Sequence, residues 1–198
     1  KQLFAEKLST EGKYLIWYQR KVDDWFAMNL ESGEKWTITG SVKDIFFVDD
    51  NGVPAEEDAE GIAGWSENDE YVYIYSKYDI WKISPEKLTH ECLTSNENNL
   101  EKTFGTKYVH QEIDFDNKYI DDKFLLLHTF NDETKKAGFA VLKRNNEKDF
   151  PTQVIEDEKK FYFIGKAKNA DVQLFSKSSF TQYPDLLLTK LFDFPKAS

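Results

Sequence analysis

A chain of 198 residues, 40% hydrophobic and 31% charged, has room for one sizeable domain or two small ones, and its composition excludes wholesale disorder. Lys and Arg number 26 against 36 Asp and Glu, a net charge of −10 that argues against nucleic acid or an anionic membrane surface as partner, and no apolar run approaches the ~20 residues of a spanning helix. The excess is aromatic, with 16 Phe, 10 Tyr and 5 Trp, residue types that suit half-buried pleated surfaces and lean the chain towards β.

The first residues, KQLFAEKLSTEGK, lack both an initiator Met and an apolar signal core, and read as a processed or trimmed start that leaves the compartment unencoded. The segment LSTEGKYLIWYQ from Leu8 then aligns with WSENDEYVYIYS from Trp65, placing Ser9 on Ser66, Gly12 on Asp69, Tyr14 on Tyr71 and Tyr18 on Tyr75. After a two-residue slip, DWFAMN from Asp24 meets DIWKIS from Asp79, and Thr39 meets Thr94. A degenerate repeat that keeps its order through three successive segments is the signature of a repeat architecture.

Each repeat reads as four short strands. The first ends at a polar turn, 9–12 or 66–69, where Gly, Asn and Asp tolerate left-handed backbone. The second covers 14–19 or 71–76, the third 25–30 or 80–83, and the fourth closes at 38–39 or 93–94. In YVYIY, Tyr71, Tyr73 and Tyr75 point to one face and Val72 and Ile74 to the other, so both faces must be covered, as in a sheet between neighbouring blades. A third repeat uses 109–113, 124–130, 138–142 and 152–155. A fourth uses 161–166, 172–175 and 186–189 and lacks a strand. Acidic stretches 49–60 and 96–103 read as loops or single helical turns. The expected fold is all-β: a partial β-propeller of three to four four-stranded antiparallel blades, one segment over 1–198 with blades near 1–42, 61–95, 108–157 and 160–198.

The pattern Trp-Ser-x-x-(Asp/Gly)-x-aromatic, closing on Leu-Thr, resembles the propeller repeats of prolyl oligopeptidase-type serine peptidases, which also occur in non-enzymatic relatives of the TolB type. Two longer stretches, Gly61-Ile62-Ala63-Gly64-Trp65-Ser66-Glu67-Asn68-Asp69 with Tyr78-Asp79-Ile80-Trp81, and Phe180-Thr181-Gln182-Tyr183-Pro184-Asp185-Leu186, are similar to bacterial acylaminoacyl-peptidase-like members. The resemblance implies a propeller of seven or eight blades capping a C-terminal α/β-hydrolase domain that this chain does not contain. Its implied partners are that hydrolase domain and peptide substrates, with a periplasmic or secreted setting. The competing reading is a stand-alone TolB-type or WD-repeat-like scaffold or sensor that binds a protein or glycan.

Catalytic and metal-binding patterns are missing. An α/β-hydrolase needs a G-x-S-x-G elbow, and the nearest approach, Gly64-Trp65-Ser66-Glu67-Asn68, lacks the second Gly and lies in a blade turn. His90, His110 and His128 are isolated, without ligand or triad spacing. An EF-hand reading around Gly52 takes Asp49, Asn51 and Asp58 as ligands but puts Phe47 at the first ligand position, which cannot coordinate. The cluster Asp114-Phe115-Asp116-Asn117 with Asp121-Asp122 reads as a solvated hairpin. Cys92, the only cysteine, allows no intrachain disulfide and reads as an inert thiol. No catalytic residue, metal or cofactor is therefore expected.

From Asp44 to Ser76 there are ten acidic residues and no Lys or Arg, either a solvated loop or a lure for a cationic group. Within it, Glu56 and Glu57 sit broadly where, by the resemblance, dipeptidyl-peptidase relatives hold a substrate's free N-terminus with adjacent glutamates. An acidic surface loop is the other reading. Trp65 and Trp81 should be buried between blades, and the blades should form an open arc whose terminal faces, at 14–19 and 172–175, are available for self-association.

Overall fold

The computed structural model describes residues 4–48, 56–95, 104–146, 149–190 and 193. Among them every regular element is a strand except one 3-10 turn, Glu67–Asp69. The strands run in chain order as β1 (Phe4–Leu8), β2 (Tyr14–Gln19), β3 (Asp24–Asn29), β4 (Lys35–Thr37), β5 (Ile62–Trp65), β6 (Val72–Tyr75), β7 (Ile80–Ile83) and β8 (His90–Cys92). They continue as β9 (Thr106–Gln111), β10 (Phe124–Asn131), β11 (Ala137–Lys143), β12 (Thr152–Asp157), β13 (Lys160–Lys166), β14 (Val172–Ser179) and β15 (Gln182–Lys190). Within each sheet the strands pair antiparallel with their sequence neighbours, giving sheets β1–β4, β5–β8 and β9–β12 of four strands and β13–β15 of three. Such up-and-down sheets are what a partial propeller is built from. The chain divides into two compact units, Lys1–Thr94 with Lys118–Asp121, and Ser95–Asn117 with Asp122–Ser198.

In the first unit, sheets β1–β4 and β5–β8 share one core. Tyr14, Ile16, Tyr18, Trp25 and Ala27 meet Trp65, Val72, Ile74 and Ile83, with Ile38 and Phe46 filling between. Tyr14 stacks on Trp65 with ring centroids 6.2 Å apart and planes 4° from parallel. Val72, Tyr73 and Ile74 are all buried, so β6 is covered on both faces as its sequence predicts. Trp65 is buried as expected, but Trp81 is only half-buried. Its indole N–H donates to Asp44 Oδ2 at 2.6 Å.

The aligned polar residues make the same bonds in both sheets. Ser9 Oγ accepts from Tyr14 N and Ser66 Oγ from Tyr71 N, each at 2.9 Å, tying the first strand to the second across the turn. Gly12 and Asp69, aligned in sequence, both adopt left-handed backbone, with φ of 74° and 54°. Thr39 Oγ donates to Asp24 Oδ1 at 2.7 Å and accepts from Trp25 N at 2.9 Å. Thr94 Oγ does the same with Asp79 Oδ1 at 2.6 Å and Ile80 N at 3.0 Å. The fourth strands end earlier than expected, at Thr37 and Cys92: Ile38 N and Leu93 N still donate to Trp25 O and Ile80 O at 2.9 Å, but Trp25 N and Ile80 N turn to the Thr39 and Thr94 hydroxyls instead of a backbone carbonyl.

Asp69 is where the two sheets are fastened. Its carboxylate, 1% exposed, accepts from Ser9 Oγ at 2.6 Å, Glu11 N at 3.0 Å and Lys13 N at 3.3 Å, all in the β1–β2 turn. A charged acceptor holding three donors away from water makes bonds of the stronger kind.

The second unit is fastened by rings instead. Phe139 lies edge-on to Phe175 at 5.0 Å and to Phe161 at 6.4 Å, and Phe163 meets Phe175 at 5.3 Å, with Leu126 and Val141 completing the buried cluster. Gly138 is required there: a Cβ would collide with the Ile155 carbonyl of the neighbouring strand β12. The terminal faces expected at 14–19 and 172–175 are not open surfaces. In β2, Tyr14, Ile16, Trp17 and Tyr18 are buried, and β14 buries Gln173 and Phe175. Tyr14, Ile16 and Tyr18 face the core of the first unit, Trp17 on the opposite face stacks on Phe26 at 5.8 Å, and Phe175 joins the phenylalanine cluster. In the three-stranded sheet, exposed apolar residues lie on the flanking strands, among them Tyr162 and Ile164 in β13 and Leu186 and Leu188 in β15.

Candidate functional site

Ser66 Oγ closes its blade turn, accepting from Tyr71 N and directed at Glu67 O at 3.3 Å, the local role that its alignment with Ser9 implies. Glu56 is exposed and Glu57 half-buried. Glu57 is near enough to Tyr18 to add to the rise of that phenol's pKa, after burial, Asp23 and Asp24. Of the other acids in the 44–76 window, Asp58 pairs with Arg20, Asp44 receives the Trp81 indole and Asp69 clasps the first turn. These three have partners within the fold, so that part of the window is neither a bare solvated loop nor free to act as a lure. Asp49, Asn51 and Gly52, the remainder of the EF-hand reading, lie outside the described residues. Among those described, no three His, Cys, Asp or Glu side chains are placed to hold a metal ion.

The histidines sit apart. The His90 ring lies 5.9 Å from Trp81. Burial lowers the pKa of His110, opposed by Glu112, and also that of His128, whose ring stands edge-on to Phe139 at 5.4 Å. Cys92 is half-buried in β8. In the acidic hairpin, Asp116 is a solvated partner of Lys168 at 2.9 Å, whereas Asp122 forms a half-buried ion pair with Arg144 at 3.0 Å.

What sequence reasoning missed is a cavity of about 640 Å³ in the second unit. Three connections build it, the β10–β11 hairpin, the turn from β12 into β13 of the next sheet, and the β14–β15 hairpin. The first supplies Phe130 and Lys135, the second Lys159 and Lys160, and the third Ser178, Ser179 and Phe180, while His128 and Phe161 form part of the wall. Lys135 takes left-handed backbone at φ 59°, in a turn where Asn131 Oδ1 accepts from Glu133 N at 3.0 Å and Thr134 N at 2.8 Å. The turn from Asn29 to Gly33 is capped in the same way, by Asn29 Oδ1. Lys135 Nζ and Lys160 Nζ each lie 5.9 Å from a ring centre, of Phe130 and Phe180 respectively, and Lys159 Nζ donates to Gln182 Oε1 at 2.7 Å. Glu158 is the one acid in the lining. The short runs Lys159-Lys160-Phe161-Tyr162 and Ser178-Ser179-Phe180 were visible in sequence, but their convergence depends on the register of β13 against β14.

No protein-family model matches the chain, and no curated protein matches it. Among solved structures, a calcium-binding protein, regucalcin, from Agrobacterium tumefaciens aligns at 11% identity over 96% of this chain and 54% of its own, with a TM-score of 0.45. A chain named as a 6-phosphogluconolactonase, from Bacteroides uniformis, aligns at 14% identity over 93% of this chain and 53% of its own, with a TM-score of 0.37. The chain spans about half the length of each. At such scores neither likeness carries an argument, and the fold rests on the sheets described above. Neither protein is named as a prolyl oligopeptidase-type peptidase, so that link rests on the motifs alone.

Proposed function

We propose that the chain is a non-catalytic β-propeller segment that supports an α/β-hydrolase domain of the prolyl oligopeptidase type and gates access to it. The observation that carries this reading is the shared hardware of the first two sheets. The residues on which the resemblance rests, Ser66, Asp69, Asp79 and Thr94, are the ones that close and fasten the blades. Under this reading Glu56 and Glu57 hold the free N-terminus of a peptide substrate, and the exposure of Glu56 supports its availability.

The test is the sequence that follows Ser198 in the parent gene, where G-x-S-x-G followed by Asp and His is expected; a stop or an unrelated domain overturns the reading. Purified chain should not cleave aminoacyl or acylaminoacyl chromogenic substrates, and activity abolished by Ser66→Ala would contradict a non-catalytic role. In the parent enzyme, Glu56→Gln with Glu57→Gln should raise KM for substrates with a free N-terminus and leave N-blocked ones unchanged. A second reading, a TolB-type scaffold or sensor with its own ligand, is favoured by the cavity, whose lining comes wholly from the second unit.

A further inference from the structure

We propose that the cavity in the second unit binds a small anion with an aromatic body, an aryl carboxylate being the simplest member of the class. Size comes first. About 640 Å³ lies within the range of small-molecule sites, roughly 300–1,000 Å³, and is far more than an inorganic ion fills. Charge comes second. Three ammonium groups, from Lys135, Lys159 and Lys160, face one carboxylate, from Glu158, in a chain whose net charge is −10. A local reversal of sign draws a single anion, while the acidic remainder opposes a polyanion such as nucleic acid.

The third observation is the rings. Phe180 is fully exposed at the tip of the β14–β15 turn and Tyr162 is 57% exposed, and both line the cavity. A flat apolar body laid against them removes apolar surface from water, which is the main return such rings offer. Ser178 and Ser179 are also in the lining; Ser179 Oγ is engaged with Thr181, which leaves Ser178 as the hydroxyl for a carboxylate's remaining lone pair. Lys159 gives one of its three donors to Gln182, and Lys135 and Lys160, whose ammonium groups lie beside rings, are assigned the anion. Each holds its ammonium near a ring, which places positive charge and flat surface side by side.

The test uses the intact chain and two probes of one shape, 2-naphthoate and the uncharged 2-naphthamide, titrated by calorimetry at low and at high salt. Naphthoate should bind at least tenfold more tightly than the amide, and the gap should narrow in high salt. The double variant Lys135→Gln, Lys160→Gln should weaken naphthoate at least tenfold and change the amide by less than twofold, while Lys135→Arg with Lys160→Arg retains most of the affinity. Phe180→Ala should weaken both probes. Undetectable naphthoate binding, equal affinity for the two probes, or naphthoate affinity unchanged in the Gln double variant would each overturn the proposal. Circular dichroism on every variant separates a lost site from a lost fold.

Discussion

The two compact units solve one problem in different ways. Each packs two antiparallel sheets face to face. The first fastens them with polar clasps at repeated positions, Asp69 across the turns and an Asp–Thr pair inside each sheet. The second fastens them with a knot of phenylalanines around Phe139. A hydrogen bond needs one donor, one acceptor and a narrow geometry, so its residues recur at fixed positions. A ring cluster accepts many partners of similar volume, so its residues drift. The difference teaches why the repeat is plain in the first unit and faint in the second.

The largest effect should come from the cores themselves. Phe139→Ala in the second unit and Trp65→Ala in the first should each cost about 3–5 kcal/mol in urea unfolding, because both side chains are almost wholly buried. A loss below about 1 kcal/mol at either site would break the equivalence of the two cores. Next comes the clasp. Asp69→Ala strands three donors and should cost about 2–3 kcal/mol, and a double-mutant cycle with Ser9→Ala should show coupling of more than 0.5 kcal/mol. Additive losses would mean that the clasp is geometry without energy.

Smaller still, Thr39→Val and Thr94→Val should each cost about 1–2 kcal/mol, since each removes the acceptor of a buried backbone N–H. Unequal losses would show that the two sheets are less alike than their bonds suggest. The second unit should also respond to acid. Burial holds the pKa of His110 and of His128 below the ordinary 6.5, so the unfolded chain takes up protons first as pH falls. Their contribution is complete above pH 6.5 and is lost as pH drops through that value towards the lowered ones. A urea midpoint that falls from pH 7.5 to 5, and falls less in His128→Gln, is the expected record. The least effect belongs to Lys135→Gly, which relieves left-handed strain at an exposed turn and should stabilise by about 0.5–1 kcal/mol.

Much of the fold was legible, and the reasons are local. The pairings of Ser9 with Ser66, Asp24 with Asp79 and Thr39 with Thr94 were readable because each residue type has one job at its turn. Strands 80–83 and 124–130 were bounded by alternation and turn residues, and the structure places them at Ile80–Ile83 and Phe124–Asn131. Trp81 was overestimated because its ring is held by a bond from its indole N–H to Asp44, 37 residues away, which no local pattern reveals. The exposed faces were misplaced for a related reason: apolar strands look alike in sequence whether or not something covers them. The cavity was illegible because its lining is assembled from three separate turns, and no one of them is unusual alone.

The clasp at Asp69 also bears on the order of events when the first unit assembles. Its bond to Ser9 spans 60 residues, whereas Asn29 caps its own turn two and three residues on. Loop closure over such a span is costly in entropy until much of the intervening chain is already in place. The β1–β2 turn therefore gains its charged acceptor only after the β5–β6 turn has formed, and the bond belongs to the late side of the folding barrier. An interaction made late is a brake on leaving the native state and has little influence on reaching it. Weakening Asp69 should show itself in stopped-flow traces as faster unfolding with refolding nearly unchanged.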